Sequence, residues 1–94
     1  MTNNEVAQGF TIRVSGKAPN LSTDGVKLYS YRTCIAEWIK GKCVVNMTRY
    51  STTSSHHRNL ALRWLEKYPD VVVRLTEDIP IGIQSLKEYY DSDR

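Results

Sequence analysis

The 94-residue sequence lacks the apolar run of about 18 residues that a membrane-spanning helix needs. Its first residues, MTNNEVAQ, have neither the basic start nor the apolar centre of a secretory signal. Both absences predict a soluble, cytoplasmic chain with no membrane contact. With 40% hydrophobic and 24% charged residues, the composition is typical of a globular protein. The length predicts a single domain over residues 1–94, with loose ends at 1–9 and 91–94.

Cysteine is scarce, with Cys34 and Cys43 the only two. A two-residue turn at 40–41 pairs the strands of the predicted hairpin so that Cys43 faces Trp38 and Cys34 faces Met47. The sulfurs then lie several residues apart along the ladder, whereas a disulfide requires Cα atoms about 4.4–6.8 Å apart. We therefore predict two buried free thiols, which is typical of a reducing compartment.

Acidic residues are scarce in the first two thirds of the chain. Residues 1–63 contain nine Lys or Arg and three acids, a net charge of +6. Residues 64–94 contain four bases and seven acids, a net charge of −3. Although the formal charge of the whole chain is only +3, this uneven distribution favours a polyanionic partner at the basic end.

Hydrophobic periodicity predicts the order β, β-hairpin, α, β, α. This is an α+β domain with a small, mostly antiparallel sheet packed by two helices. Neither alternating face of the long strand at 27–39 is apolar throughout, which predicts a bulge or break near Arg32. Residues 15–25 are rich in turn formers and predict a loop. The strands are predicted at residues 10–14, 27–39, 43–47 and 71–75.

The first helix is predicted from about residue 55 to residue 68. The hydroxyl residues at 51–55 are candidate N-caps, and Pro69 ends the helix. Its apolar arc contains His57 and has Trp64 as the main buried anchor. The sequence therefore predicts an amphipathic helix that lies on the sheet.

The second helix is predicted at residues 79–90. Asp78 can cap it, and Pro80 falls in its first turn, where the missing N–H does no harm. The spacing of its apolar residues predicts that this helix also packs on the sheet. Those residues are Ile79, Ile83, Leu86 and Tyr90.

The start of the first helix is the main candidate site. A helix N-terminus has unpaired N–H groups and partial positive charge, so a phosphate or carboxylate can bind there. Arg49 and Arg58 could close over such an anion bidentately. In the alternative, the hydroxyl residues only cap the helix and His56 is solvated. The position of His57 in the apolar arc favours the core for that residue.

A wider basic surface extends the candidate site to the outer stripe of the first helix and the hairpin tip. Tyr29 and Tyr31, if they point outward, could stack bases as in proteins that hold single strands. The alternative is a solvated polar face with the tyrosines packed inward. The predicted anion- or nucleic-acid-binding residues are Lys40, Lys42, Arg49, Ser54, Ser55, His56, Arg58, Arg63 and Lys67.

No catalytic residue, metal or cofactor is predicted. Adjacent histidines on a helix point about 100° apart, so His56 and His57 do not converge on one metal ion. The cysteines form no Cys-x-x-Cys pair, and no Gly-x-Ser-x-Gly motif is present. These features predict a non-enzymatic protein, with a small hydrolase that uses the Ser/Thr/His cluster left as an alternative.

Residues 28–36, LYSYRTCIA, and residues 50–57, YSTTSSHH, form a pattern that resembles a family of small uncharacterised proteins from bacteriophages, plasmids and other mobile elements. Their general forms are LYSYxTxIA and, after a hairpin return, YSxTTSxH; Cys34 departs from the first pattern. The resemblance implies an accessory protein acting in the host cytosol, and it implies no activity or catalytic residue. The matching residues are Leu28, Tyr29, Ser30, Tyr31, Thr33, Ile35, Ala36, Val44, Val45, Asn46, Tyr50, Ser51, Thr52, Thr53, Ser54 and His57.

The first functional hypothesis is a viral or mobile-element protein that binds nucleic acid, or another polyanion, through the hairpin tip and the helix start. The second is a protein–protein effector that inhibits a host nucleic-acid machine, with the acidic C-terminal third as a charge mimic. The possible partners are therefore nucleic acid or a host protein. The pattern defines no oligomeric state.

Overall fold

A six-stranded sheet forms the centre of the molecule, and the computed structural model describes residues 1–92, with side chains described for 1–90. Each strand neighbours the next one in the chain, in the order β1-β2-β3-β4-β5-β6. The elements are α1 (Asn3–Thr11), β1 (Gly16–Lys17), β2 (Leu21–Thr23), β3 (Lys27–Ser30), β4 (Thr33–Ile39), β5 (Lys42–Asn46), α2 (Thr52–Leu65), β6 (Val73–Thr76) and α3 (Lys87–Ser92).

The pairing of the strands confirms the predicted fold class. All neighbours are antiparallel except β5 and β6, which are parallel. A parallel pair needs a crossover connection, and α2 provides it between β5 and β6. The fold is therefore α+β with a mostly antiparallel sheet, and the described residues contain three helices where two were predicted. Each of these helices is too short or too polar to span a membrane.

The hairpin between β4 and β5 has the predicted turn. Lys40 and Gly41 both have positive φ, 52° and 77°, as a two-residue turn that matches strand twist requires. Trp38 pairs with Cys43 as predicted. The predicted pairing of Cys34 with Met47 is wrong because the ladder ends before Cys34, whose N–H instead donates to Ile83 O at 2.8 Å.

The long strand predicted at 27–39 is wrong, although its predicted break is in the right place. The chain reverses at Tyr31 and Arg32, so β3 and β4 pair with each other. Tyr31 has a φ of 56°, which allows the tight reversal. The absence of a consistently apolar face thus indicated two strands rather than one.

The loose N-terminus and the strand predicted at 10–14 are also wrong. Residues Asn3–Thr11 form α1, which starts with a capping box between Thr2 and Glu5. Glu5 N–H donates to Thr2 Oγ1 at 3.1 Å, and Thr2 N–H donates to Glu5 Oε1 at 2.9 Å. Phe10 is fully buried, with its ring 5.7 Å from that of Trp38. The loop predicted at 15–25 contains β1 and β2.

The helix predicted at 79–90 is largely wrong, since α3 covers only Lys87–Ser92. Residues 79–86 instead form an irregular segment with a turn at 81–82, the strap, on the sheet face opposite α1 and α2. Asp78 and Gly82 have positive φ, which is incompatible with a helix through them. The predicted apolar residues do pack together, in a cluster with Cys34, Ile39 and Val44. Of the loose end predicted at 91–94, residues 93–94 lie outside the described residues.

Helix α2 begins three residues earlier than predicted because Ser51 caps it. Its buried face is formed by Ser54, His57, Ala61 and Leu65. Trp64 is only partly buried and donates its indole N–H to Asn4 Oδ1 at 2.9 Å, so its predicted role as the main anchor is wrong. Together with α1, α2 covers the first face of the sheet.

Both cysteines are free and buried, as predicted. Cys43 lies in the core beneath α1 and α2, whereas Cys34 lies beneath the strap. Burial raises the pKa of each thiol to about 12. The thiols are therefore uncharged and packed as small apolar groups.

Glu37 fastens the strap to the sheet. The side chain is fully buried, and its Oε1 accepts from Ser85 Oγ at 2.9 Å and from Leu86 N–H at 2.8 Å. Its Oε2 has no hydrogen-bond partner among the described residues. One buried carboxylate oxygen thus accepts two hydrogen bonds from the C-terminal end of the strap, in addition to the bonds that its other residues make, such as that of Gly82 N–H to Thr33 Oγ1 at 2.9 Å.

Replacement of Glu37 should loosen the strap selectively. We expect Glu37→Ala to lower the free energy of unfolding by about 3 kcal/mol, because it leaves a cavity and an unpaired buried N–H at Leu86. Glu37→Gln keeps an oxygen acceptor and should lose about 1 kcal/mol. Urea unfolding measures both losses. Hydrogen exchange should show faster exchange at the Leu86 amide in Glu37→Ala, and unchanged exchange there would contradict the assignment.

Candidate functional site

The first turn of α2 is exposed at the end of the sheet where β5 finishes. Ser51 Oγ accepts from Ser54 N–H at 3.1 Å and caps the helix. No described residue accepts from the N–H groups of Thr52 and Thr53. These two donors and the partial positive charge of the helix end are therefore available to an anion.

A buried polar cluster holds this turn against the sheet. Ser30 Oγ lies 2.7 Å from His57 Nδ1 and 3.1 Å from Ser54 Oγ. His57 Nε2 lies 3.4 Å from Asn3 Nδ2 on α1. Because Ser30, Ser54 and His57 are all buried, this cluster joins β3, α1 and α2, and Ser54 is not placed to meet a ligand. A Ser–His contact is present, as the hydrolase alternative needs, but no acidic side chain among the described residues hydrogen-bonds to His57.

The environment of His57 keeps its imidazole neutral. Burial, with a smaller contribution from the nearby His56, lowers the pKa of His57 from its ordinary value. The neutral tautomer with the proton on Nδ1 donates to Ser30 Oγ and accepts from Asn3 at Nε2, and so satisfies both contacts. The prediction of a core position for His57 is confirmed, at 2% exposure.

Two open recesses flank the first two turns of α2. The first has a volume of about 500 Å³ and is lined by Asn3, Thr52, Thr53, His56, His57, Asn59, Leu60 and Arg63. The second has a volume of about 420 Å³ and is lined by Arg49, Tyr50, Ser51, Thr52, Ser55, His56 and Arg58. Thr52 and His56 line both, so the recesses are adjacent. None of the described residues that line them is acidic.

The arginines of the second recess are partly anchored. Arg58 Nη1 donates to Met47 O at 3.4 Å and Nη2 donates to Asn59 Oδ1 at 3.3 Å. Its Nε is buried and has no hydrogen-bond partner among the described residues. Arg49 is exposed and lines the same recess. Arg49 and Arg58 thus line one recess, as the predicted clamp on an anion requires. Binding of a phosphate or carboxylate between them stays a prediction.

An exposed aromatic ring stands beside the first recess. Tyr31, at the β3–β4 turn, is 54% exposed, and its ring centroid is 6.1 Å from that of His57. Tyr29 behaves differently, since it is half-buried and donates its hydroxyl to Gln84 O at 3.3 Å. Of the two predicted aromatic platforms, Tyr31 points outward and lies next to the start of α2.

The lysines of the hairpin tip are not part of this surface. They lie at the opposite end of β5 from the start of α2. Lys40 and Lys42 are each 5.9 Å from the ring of Tyr90, on the sheet face that carries the strap. Lys42 Nζ also donates to the Tyr90 hydroxyl at 3.4 Å. The predicted binding residues therefore belong to two separate surfaces.

Lys67 lies at the other end of α2. Its Nζ is 5.5 Å from the ring of Trp64, in a recess that Glu66 also lines. Arg63 contributes to this recess as well as to the first one, so it stands between them. The predicted residues that line the two recesses are Arg49, Ser55, His56, Arg58 and Arg63, of which Arg63 lies in the last turn of α2.

Two residues of this region, Asn3 and Ser30, are not among the predicted site residues. Asn3 falls in the predicted loose end, although the Thr2-x-x-Glu5 capping box at this position is a helix-start signal. Ser30 falls near the start of the predicted strand at 27–39, and no local signal distinguishes a serine that contacts a distant histidine. Both residues reach the site only through contacts between distant parts of the chain.

Neither metal chemistry nor a relative supplies a function. In the part of the chain that the structure describes, no three His, Cys, Asp or Glu side chains are grouped as metal ligands. Comparison of the chain with protein-family models, curated proteins and solved structures found no match. The residues and contacts of the site are therefore the basis on which a function can be assigned.

The stability of the fold should decrease in mild acid because of His57. The pKa of His57 is lower in the folded chain than its ordinary value of about 6.5, so the unfolded chain takes up a proton first as pH falls. The free energy of unfolding should therefore decrease below about pH 6.5. Urea unfolding at several pH values measures this slope.

His57→Gln removes the titrating group but keeps a side chain that can hydrogen-bond to Ser30. Its free energy of unfolding should change less between about pH 7 and pH 5 than that of the unmodified chain. His56→Gln is the control, because His56 is exposed and its loss should leave most of the slope intact. Parallel pH curves for His57→Gln and the unmodified chain would show that His57 is not responsible.

Proposed function

We propose that this protein binds single-stranded nucleic acid, with phosphates in the two recesses at the start of α2 and a base stacked on Tyr31. The observation that carries this proposal is the position of an exposed aromatic ring beside recesses that are lined by arginines and by no described acidic residue. Proteins that hold single strands without sequence preference combine such a positively charged groove with an aromatic platform.

The recesses have the chemistry that phosphate binding requires. Arg49 and Arg58 stand in one recess, where the exposed guanidinium of Arg49 can donate bidentately to phosphate oxygens and the anchored guanidinium of Arg58 adds a second positive charge. The N–H groups of Thr52 and Thr53 add uncharged donors at the positive end of the helix. Arg63 continues the positive charge into the first recess.

Tyr31 provides a feature that phosphate binding alone does not need. It lies in a tight turn whose backbone conformation fixes the direction of the Cα–Cβ bond. The ring is more than half exposed next to His57, so one ring face can meet a base while the protein supports the side chain. Stacking of this kind contributes about 1–3 kcal/mol per base. This supports nucleic acid over a polyanion without bases.

The proposal also agrees with the resemblance to small phage and mobile-element proteins. A protein of that kind works in a host cell, where single-stranded nucleic acid is present during replication and transcription of the element. The basic first two thirds of the sequence add a favourable long-range attraction to such a ligand.

Removal of one phosphate contact should reduce the dependence of affinity on salt. The logarithm of the binding constant for a single strand falls with the logarithm of salt concentration, with a slope of about −0.7 per phosphate contact. Arg49→Ala and Arg63→Ala should each make this slope less steep by about 0.7. Fluorescence anisotropy with a labelled oligonucleotide, over a series of salt concentrations, measures it.

Lys17→Ala is the matched control, because it also removes an exposed positive charge but lies in β1, outside both recesses. Its slope should match that of the unmodified chain. Equal reductions in all three variants would indicate a diffuse charge effect rather than a site. Absence of binding at about 50 mM salt would remove the proposal, leaving the effector hypothesis to be tested by a pull-down from nuclease-treated host lysate.

Loss of the aromatic ring should lower affinity without changing the salt slope. Tyr31→Ala removes a stacking contact but no charge, so it should weaken single-strand binding by about tenfold. Tyr31→Phe keeps the ring and should bind like the unmodified chain. Heparin, a polyanion without bases, should bind Tyr31→Ala as well as it binds the unmodified chain. Unchanged oligonucleotide affinity in Tyr31→Ala would instead indicate a general polyanion site.

A further inference from the structure

The two edges of the sheet differ. At one edge, β1 has only two residues, Gly16–Lys17, and is thus too short to pair extensively with another chain. At the other edge, β6 has four residues, Val73–Thr76, and is paired on one side only, with β5. Leu75, in this strand, is 54% exposed.

The outer side of β6 presents backbone groups suited to a further strand. The N–H of Cys43 donates to Val72 O at 2.9 Å, and that of Met47 donates to Thr76 O at 2.6 Å. Because bonding direction alternates along a strand, the N–H and C=O groups of Val73 and Leu75 point away from β5. No described residue pairs with them. Among protein elements, an extended chain is the one that matches such a row of alternating donors and acceptors.

Apolar recesses lie on both sides of the exposed Leu75. One has a volume of about 320 Å³ and is lined by Leu62, Leu65, Glu66, Val73 and Leu75. The other has a volume of about 260 Å³ and is lined by Met47, Leu75, Thr76 and Glu77. An arriving strand would therefore cover apolar surface of α2 and β6 in addition to forming backbone hydrogen bonds.

We propose that β6 pairs antiparallel with β6 of a second copy of this chain, about a two-fold axis at Leu75. An antiparallel pair of identical strands has its axis perpendicular to the sheet, so both copies keep α2 on the same face. Residues of the helix face then oppose residues of the helix face. Of the pairings that meet this condition, two keep three residues of each β6 opposite the other β6: the one in which Leu75 meets Leu75 and the one in which Val73 meets Leu75.

Charge decides between these two registers. With Val73 opposite Leu75, the Arg74 side chains of the two copies face each other directly, which is unfavourable. With Leu75 opposite Leu75, Arg74 faces Thr76 and Val73 faces Glu77, so no like charges are opposed. The latter register also places Leu75, whose N–H and C=O both point outward, in a hydrogen-bonded pair on the axis. The edge strand is thus complementary to itself.

Formation of this dimer does not require nucleic acid, but it would place the nucleic-acid-binding recesses of both copies on one surface. Since the axis is perpendicular to the sheet, the two copies of α2 lie side by side and antiparallel on one face. Their N-terminal recesses then open at opposite ends of the same surface. A single ligand strand that reached both would bind with higher affinity than one copy allows.

The oligomeric state tests the proposal directly. Sedimentation equilibrium of the full chain should give a mass that approaches twice the 10.8 kDa of one copy as concentration rises. Leu75→Arg places two positive charges on the axis and should return the mass to that of a monomer. Val72→Arg is the control: Val72 is 50% exposed, comparable to Leu75, but lies off the axis, so the dimer should persist. A monomeric unmodified chain, or a dimer that survives Leu75→Arg, overturns the proposal.

Disulfide trapping keeps the test valid if Leu75→Arg does not fold. Hydrogen-bonded partners in antiparallel strands have Cα atoms about 5.5 Å apart, within the range for a disulfide. Mild oxidation of Leu75→Cys should therefore yield a covalent dimer, whereas Val72→Cys should not. The native Cys34 and Cys43 are buried and do not interfere. Failure of Leu75→Cys to cross-link, or equal cross-linking of both variants, rejects the register.

Discussion

The contact between His57 Nδ1 and Ser30 Oγ, at 2.7 Å, determines how α2 sits on the sheet. Apolar contacts of Ala61 and Leu65 hold the helix down but have no preferred direction. The polar contact is directional, so it sets the rotation of the helix and the height of its first turn. As a result, His57 and Ser54 face inward while His56 lines both recesses. The buried contact between His57 and Ser30 therefore also orients the exposed residues of the candidate site.

The strap covers the second face of the sheet, opposite α1 and α2. Without it, apolar residues of β4 and β5 such as Ile39 and Val44 would be open to solvent. Glu37 accepts hydrogen bonds from the strap and helps to hold it on the sheet. On the same face, the ring of Tyr90 contacts Lys40 and Lys42 of the hairpin tip. The basic residues are consequently divided between two faces. For this reason the candidate site contains Arg49, Arg58 and Arg63 but excludes Lys40 and Lys42.

Local sequence signals predicted the elements whose cause is local. The Lys40–Gly41 turn followed from glycine and the alternation on either side of it, and the start of α2 followed from the hydroxyl-rich run. The Thr2-x-x-Glu5 box could have revealed α1, but a short apolar alternation at 10–14 competed with it. The apolar spacing of the strap fits 3.6 residues per turn and therefore predicts a helix. The positive φ of Asp78 and Gly82 and the hydrogen bonds to Glu37 favour an irregular path instead.

The sequence by itself determined the α+β class, the β4–β5 hairpin, the free thiols and the burial of His57, because each depends on periodicity or on residues a few positions apart. Only the tertiary structure decided which polar groups meet. Ser30 and His57 are 27 positions apart, and Asn3 and His57 are 54 apart. Contacts at such separations depend on the complete packing of sheet and helices. The sequence predicts a site in residues 51–58. The structure divides this run into a buried pair, Ser54 and His57, and an accessible surface at His56 and Arg58.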